Sequence, residues 1–73
     1  METYKFRIVV EQDEDGVYIV SCPALRGCYS QGATLEEATE NIKDAILLHI
    51  EARKAIGEPI PIEVLLSVVE VSV

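Results

Sequence analysis

An α+β fold in two layers, with elements in the order β-β-β-α-β, is what this sequence predicts. Three observations lead there. Apolar residues alternate with period two from Tyr4, break at an Asp-Gly turn and resume at Val17. From Leu35 the apolar period lengthens to three and four residues, the signature of one helical face. A glycine and two prolines then end that pattern, and period two returns from Ile62.

The first strand runs from Tyr4 to Glu11. Tyr4, Phe6, Ile8 and Val10 form a core face, and Lys5, Arg7, Val9 and Glu11 alternate with them. Gln12-Asp13-Glu14-Asp15-Gly16 is the hairpin turn, since Gly accepts the positive φ that such turns need. Val17 to Cys22 is the second strand, rich in β-branched residues and closed by Pro23, which has no amide to donate to a ladder. A loop, Pro23 to Gly27, leads to a short third strand, Cys28 to Gln31, ended by Gly32.

Thr34 and Glu37 have the spacing of a capping box, which satisfies orphan amides at a helix start. Glu36, Glu37 and Glu40 sit where the helix dipole favours negative charge. Leu35, Ala38, Ile42, Ala45, Ile46, His49 and Ile50 share one helical face. The helix should stop near Ile56, with Gly57 as a left-handed cap and Pro59 and Pro61 forbidding continuation.

The last segment, Ile62 to Val73, reads as a fourth strand. Ile62, Val64, Leu66 and Val68 share one face, and Leu65, Val69, Val71 and Val73 the other. Apolar residues on both faces point to a buried central strand or a subunit interface. Sequential hairpins make the first three strands antiparallel neighbours. A right-handed crossover then sets the fourth beside the first, for a strand order of 3-2-1-4 with one helix on one sheet face.

The 73 residues make one domain, expected to span 1–73 with no appended DNA-binding domain. A chain this short buries only about 60% of its unfolded surface, so pairing with another copy would add needed stability. Six Lys and Arg against thirteen Asp and Glu leave a net charge of −7. Direct nucleic-acid binding depends on neutralising phosphates with cations, so this chain is a poor nucleic-acid ligand and a good match for a basic protein. It carries no apolar run of membrane-spanning length and no signal-peptide pattern, and the expected compartment is the cytoplasm.

The inventory of chemical groups argues against an enzyme. Glu11, Asp13, Glu14 and Asp15 form an acidic cluster, but the cluster lacks the ligand spacing of an EF-hand loop and falls in a solvated turn. Cys22 and Cys28 are five residues apart, wider than zinc and redox motifs favour, and only His49 could join them as a soft ligand. Two thiols acting as small buried hydrophobes fit better. His49 lies on the apolar helical stripe with Ala45 and Arg53 at i±4, which suits the edge of a core rather than a catalytic base. Gly27 and Gly32 make no phosphate-binding loop. No cofactor or metal is expected.

Several runs, taken in order, resemble the HicB-like antitoxin family. They are Asp13-Glu14-Asp15-Gly16-Val17-Tyr18-Ile19-Val20, then Cys22-Pro23-Ala24-Leu25 with Gly27-Cys28. Ser30, Gly32, Thr34, Glu36-Glu37-Ala38, Asn41 and Ala45-Ile46 follow. The resemblance implies a partial ribonuclease-H-like fold of order β-β-β-α-β. It also implies a partner, a small basic HicA-like toxin that cleaves messenger RNA and is blocked by binding. Many members of the family continue past the region matching Gly57 to Pro61 into a DNA-binding domain. Here that region leads to one strand, and this chain resembles the short, stand-alone form.

The expected function is therefore a non-enzymatic antitoxin that occludes a HicA-like toxin through Glu11, Asp13, Glu14 and Asp15. An alternative is an orphan module that self-associates through Leu65, Val69, Val71 and Val73. A third reading, a degenerate metal-dependent nuclease, would use the Asp13–Asp15 cluster. A homo-oligomer suits the first two readings.

Overall fold

A computed structural model describes residues 3–62 and 69–72. Three antiparallel strands form one sheet in the order β1-β2-β3: β1 is Val9–Gln12, β2 is Tyr18–Ser21 and β3 is Tyr29–Gly32. One helix, α1 at Leu35–Ile56, packs on one face of that sheet. The architecture is thus α+β in two layers, and the first three strands stand in the expected relation.

The paired part of the first strand is shorter than its alternation. Tyr4, Phe6 and Ile8 are half-buried while Lys5 and Arg7 are exposed, so period two holds from the start. Ladder pairing nevertheless begins only at Val9, opposite Ser21. The reason lies in the partner. Beyond Ser21 the chain turns away, with the Cys22 amide bonded to the Cys28 carbonyl at 2.9 Å and Pro23 unable to donate. Among the described residues the β1–β2 ladder therefore begins at Val9.

The ladder sets Val10, Val20 and Ser30 in one cross-strand row, and Gln12, Tyr18 and Gly32 in the next, both on the helix side. Val20 is fully buried there, together with Cys22, Leu25, Cys28, Ala38 and Ile42. Val10 departs from the expected core face and is 41% exposed. The helix lies over β2 and β3 and does not reach β1, so the inner side of β1 has no cover among the described residues.

The helix ends where local chemistry directs. The Thr34 hydroxyl accepts the Glu37 amide at 3.1 Å. At the other end Gly57 takes φ 75°, its amide bonds the Lys54 carbonyl and the Glu58 amide bonds the Arg53 carbonyl at 2.9 Å. That pair of bonds is a Schellman cap. The Arg53 guanidinium also donates to the Pro59 carbonyl at 3.2 Å, tying the exit of the chain to the last helical turn. Ala38, Ile42 and Ile50 of the expected stripe are buried, and Ala45, Ile46 and His49 are half-buried. Leu35 is exposed, since it opens the helix a turn ahead of the packed section.

Gly32 is where helix and sheet come closest. A Cβ there would lie 2.9 Å from the Ala38 Cα and the Glu37 carbonyl carbon, so only a residue without a side chain fits. The Asn41 amide, donating to the Gln31 carbonyl at 2.8 Å, fixes the same junction. Of the expected fourth strand, residues 63–68 and 73 lie outside the described residues. Ile62 and residues 69–72 carry no strand assignment.

Candidate partner-binding surface

The acidic cluster stands on the turn between β1 and β2. Asp13 and Val17 close a three-residue loop through the Asp13 amide and Val17 carbonyl at 3.0 Å. Within it the Gly16 amide bonds the Asp13 carbonyl, and Gly16 takes φ 84°. The Asp13 carboxylate is committed to the turn: one oxygen accepts the amides of both Asp15 and Val17, each at 2.9 Å. Gln12 adds a bond from its side-chain amide to the Gly16 carbonyl.

The fold therefore separates the four acidic residues by role. All are exposed at one end of the hairpin. Asp13 shapes the loop, whereas Glu14 and Asp15 at its tip have no bond from their carboxylates to the rest of the chain among those described. Glu11 sits on β1 opposite Ile19, on the sheet face away from the helix. Such an array presents negative charge on a rigid turn without gathering it around a point. Among the described residues no three His, Cys, Asp or Glu side chains are placed to hold a metal ion.

Cys22 and Cys28 are thiols inside the core. Burial pushes the Cys28 thiol above its ordinary value of 9.0, and Cys22 beside it adds to the shift. A thiol held protonated in an apolar core is a packing group rather than a nucleophile. His49 is half-buried on α1. Of the four candidate interface residues, Val69 and Val71 are exposed, at 81% and 74%. Leu65 and Val73 lie outside the described residues.

A second surface was not anticipated as a unit. The N-terminal segment and one flank of α1 enclose a cleft of about 610 Å³, lined on one side by Tyr4, Phe6 and Ile8 and on the other by Ile42, Ile46 and Leu47. The Tyr4 and Phe6 rings stack with centroids 6.3 Å apart, and the Lys54 ammonium lies 5.6 Å from the Tyr4 ring. These contacts hold the segment to the far end of the helix. The sequence signal was present: the alternation begins well before Val9, the last residue that β2 can pair.

Among the described residues no helix is long and apolar enough to cross a membrane. The family described as the HicB-like antitoxin of bacterial toxin–antitoxin systems matches residues 6–71. A UPF0150 protein of Thermoplasma acidophilum is 49% identical over 57 residues, covering 78% of this chain and 83% of the relative. One from Archaeoglobus fulgidus is 47% identical over 62 residues, covering 82% and 90%. Among solved structures, the N-terminal domain of the Burkholderia pseudomallei antitoxin HicB superposes with a TM-score of 0.70 at 35% identity. The match covers 86% of this chain and 72% of that one. On sequence and fold together, this chain belongs to the HicB-like antitoxin family.

Proposed function

We propose that this chain is a non-enzymatic antitoxin that binds a small basic HicA-like toxin and covers the surface with which that toxin grips messenger RNA. One observation carries the reading: a member of an antitoxin family, with a net charge of −7, displays carboxylates on a rigid hairpin tip. A toxin that holds RNA phosphates needs lysines and arginines. Carboxylates on a preformed loop compete for those cations, and complementary charge speeds the encounter. Glu11, Glu14 and Asp15 are the contact residues in this reading, and Asp13 acts by holding the loop. Binding takes place in the cytoplasm, without cofactor and without direct contact between this chain and nucleic acid.

The nuclease alternative has little support. Its cluster lies in an exposed turn, and one carboxylate is already occupied by two backbone amides. The test is a titration of the purified chain against the small basic protein encoded beside it, at two salt concentrations, with RNA cleavage as readout. Binding that abolishes cleavage and weakens as salt rises is the expected result. The pair Glu14→Lys and Asp15→Lys should weaken it by about 10-fold or more while leaving the fold intact. Undiminished cleavage at saturating antitoxin would refute the proposal.

A further inference from the structure

We infer that the sheet face turned away from α1 is where the basic toxin settles, with Tyr29 as the anchor and the hairpin carboxylates as the charged edge. The inference rests on the antitoxin reading. It adds the surface that holds the complex together once charge has brought the two proteins close.

The ladder determines which side chains share that face. Val9, Ser21 and Tyr29 form one cross-strand row, and Glu11, Ile19 and Gln31 the next. Ile19 lies diagonally between Val9 and Tyr29, at the spacing of about 7–8 Å over which long and aromatic side chains still meet. The three apolar groups therefore make one patch, roughly 10 Å across from β1 to β3. Val9 and Ile19 are 38% and 39% exposed, and Tyr29 is 70% exposed. α1 packs on the opposite face, so no described element covers the patch.

A sheet face that meets only water commonly carries polar residues. Here Glu11, Ser21 and Gln31 border the apolar residues instead of replacing them. An apolar centre with a polar rim is the anatomy of a protein–protein contact. Tyrosine is enriched among the residues that dominate such contacts, because its ring buries a large apolar area and its hydroxyl still finds a partner.

Charge selects the occupant. Glu11 shares a row with Ile19, and Gln12 leads from it into the turn that carries Glu14 and Asp15. Carboxylates thus border the patch at its turn end. Arg7, two residues before Val9 at the other end, is already engaged within the chain. A basic protein can lay cations along those carboxylates while an apolar group covers Tyr29. A second copy would bring the same carboxylates and another charge of −7 to the contact. The two parts act at different stages: carboxylates speed the approach, and the desolvated patch slows departure.

The test measures association and dissociation rates between the full chain and the small basic protein encoded beside it, at several salt concentrations. Tyr29→Thr should raise the dissociation constant about 30-fold or more, and Ile19→Thr about 5-fold or more. Threonine keeps strand propensity, so the circular dichroism of both variants should match wild type. Both losses should fall on the dissociation rate and leave the salt dependence of association unchanged. The pair Glu14→Lys and Asp15→Lys should do the reverse, with slower association and a flatter salt dependence. Leu48→Ala, at a position 66% exposed on α1, is the control and should bind as wild type does.

A wild type that neither binds nor inhibits the toxin would refute the antitoxin reading and this inference with it. Inhibition by wild type, with Tyr29→Thr and Ile19→Thr binding equally well, would overturn the inference alone. An equal loss in Leu48→Ala would also overturn it. So would a Tyr29→Thr change that alters only the chain's own mass in solution, which would assign the face to a second copy.

Discussion

Replacing Gly32 with alanine probes the closest contact between helix and sheet. The new Cβ would stand 2.9 Å from the Ala38 Cα and from the Glu37 carbonyl carbon, and closer still to the Ala38 nitrogen. Carbon atoms in ordinary contact sit at roughly 3.5–4.0 Å, so strand and helix must part by about 1 Å. The obstructing atoms are backbone on the first turn of α1, next to the Thr34 cap and the Asn41 bond to Gln31, and neither can swing aside. Overpacking costs about 1–3 kcal/mol, and this rigid case belongs near the top of the range.

A domain of this size has only about 4–11 kcal/mol in all. A loss of about 3 kcal/mol should lower the melting temperature by about 12–24 °C, followed by circular dichroism. Gly57 provides the control, with nothing within 4 Å of its Cβ but a φ of 75°. Gly57→Ala should cost about 1 kcal/mol, and Gly57→Asn less, because asparagine tolerates the left-handed region. At Gly32 asparagine should be no better than alanine. A Gly32→Ala loss under about 0.5 kcal/mol, or a rescue by asparagine, would refute a steric cause.

Thr34→Ala should cost about 1 kcal/mol in urea unfolding, and Thr34→Ser should recover most of it, since the bond to the Glu37 amide needs only the hydroxyl. Asp13→Ala should cost about 1 kcal/mol through the two amides its carboxylate accepts, while Glu14→Ala stays within about 0.5 kcal/mol; equal costs would contradict the division of roles in the turn. Cys28 makes stability depend on alkaline pH. Its thiol is raised above 9.0 in the fold, so the folded state binds the proton more tightly than the unfolded one. The advantage is complete below 9.0 and is lost as pH rises through the folded value. Under reducing conditions, the stability difference between wild type and Cys28→Ala should shrink from pH 8 to pH 10.5, and a constant difference would count against burial as the cause.

What could be read along the chain were the features governed by neighbours in sequence. Thr34, Glu37, Gly57 and the two prolines bound the helix because caps and breakers act within a few residues. Asp-Gly located the hairpin for the same reason. The two cysteines were placed in the core by spacing that suits no ligand set, and the ordered motif from Asp13 to Ile46 carried the family. The residues proposed to face a partner, Glu11, Glu14 and Asp15, were legible only as charge.

Contacts between residues distant in sequence had to come from the tertiary structure. Alternation from Tyr4 announces a strand, but among the described residues the ladder with β2 begins only at Val9, opposite Ser21 and just before Pro23. Val10 has the pattern of a core residue and lies 41% exposed, because α1 sits over β2 and β3. Glycine at 32 looks like another turn residue until the backbone at Ala38 is set against it. Asp13 looks like one acidic residue among four until its oxygen is found bonded to two amides. Periodicity reports which way a side chain points, and only the packed molecule decides whether anything stands there to meet it.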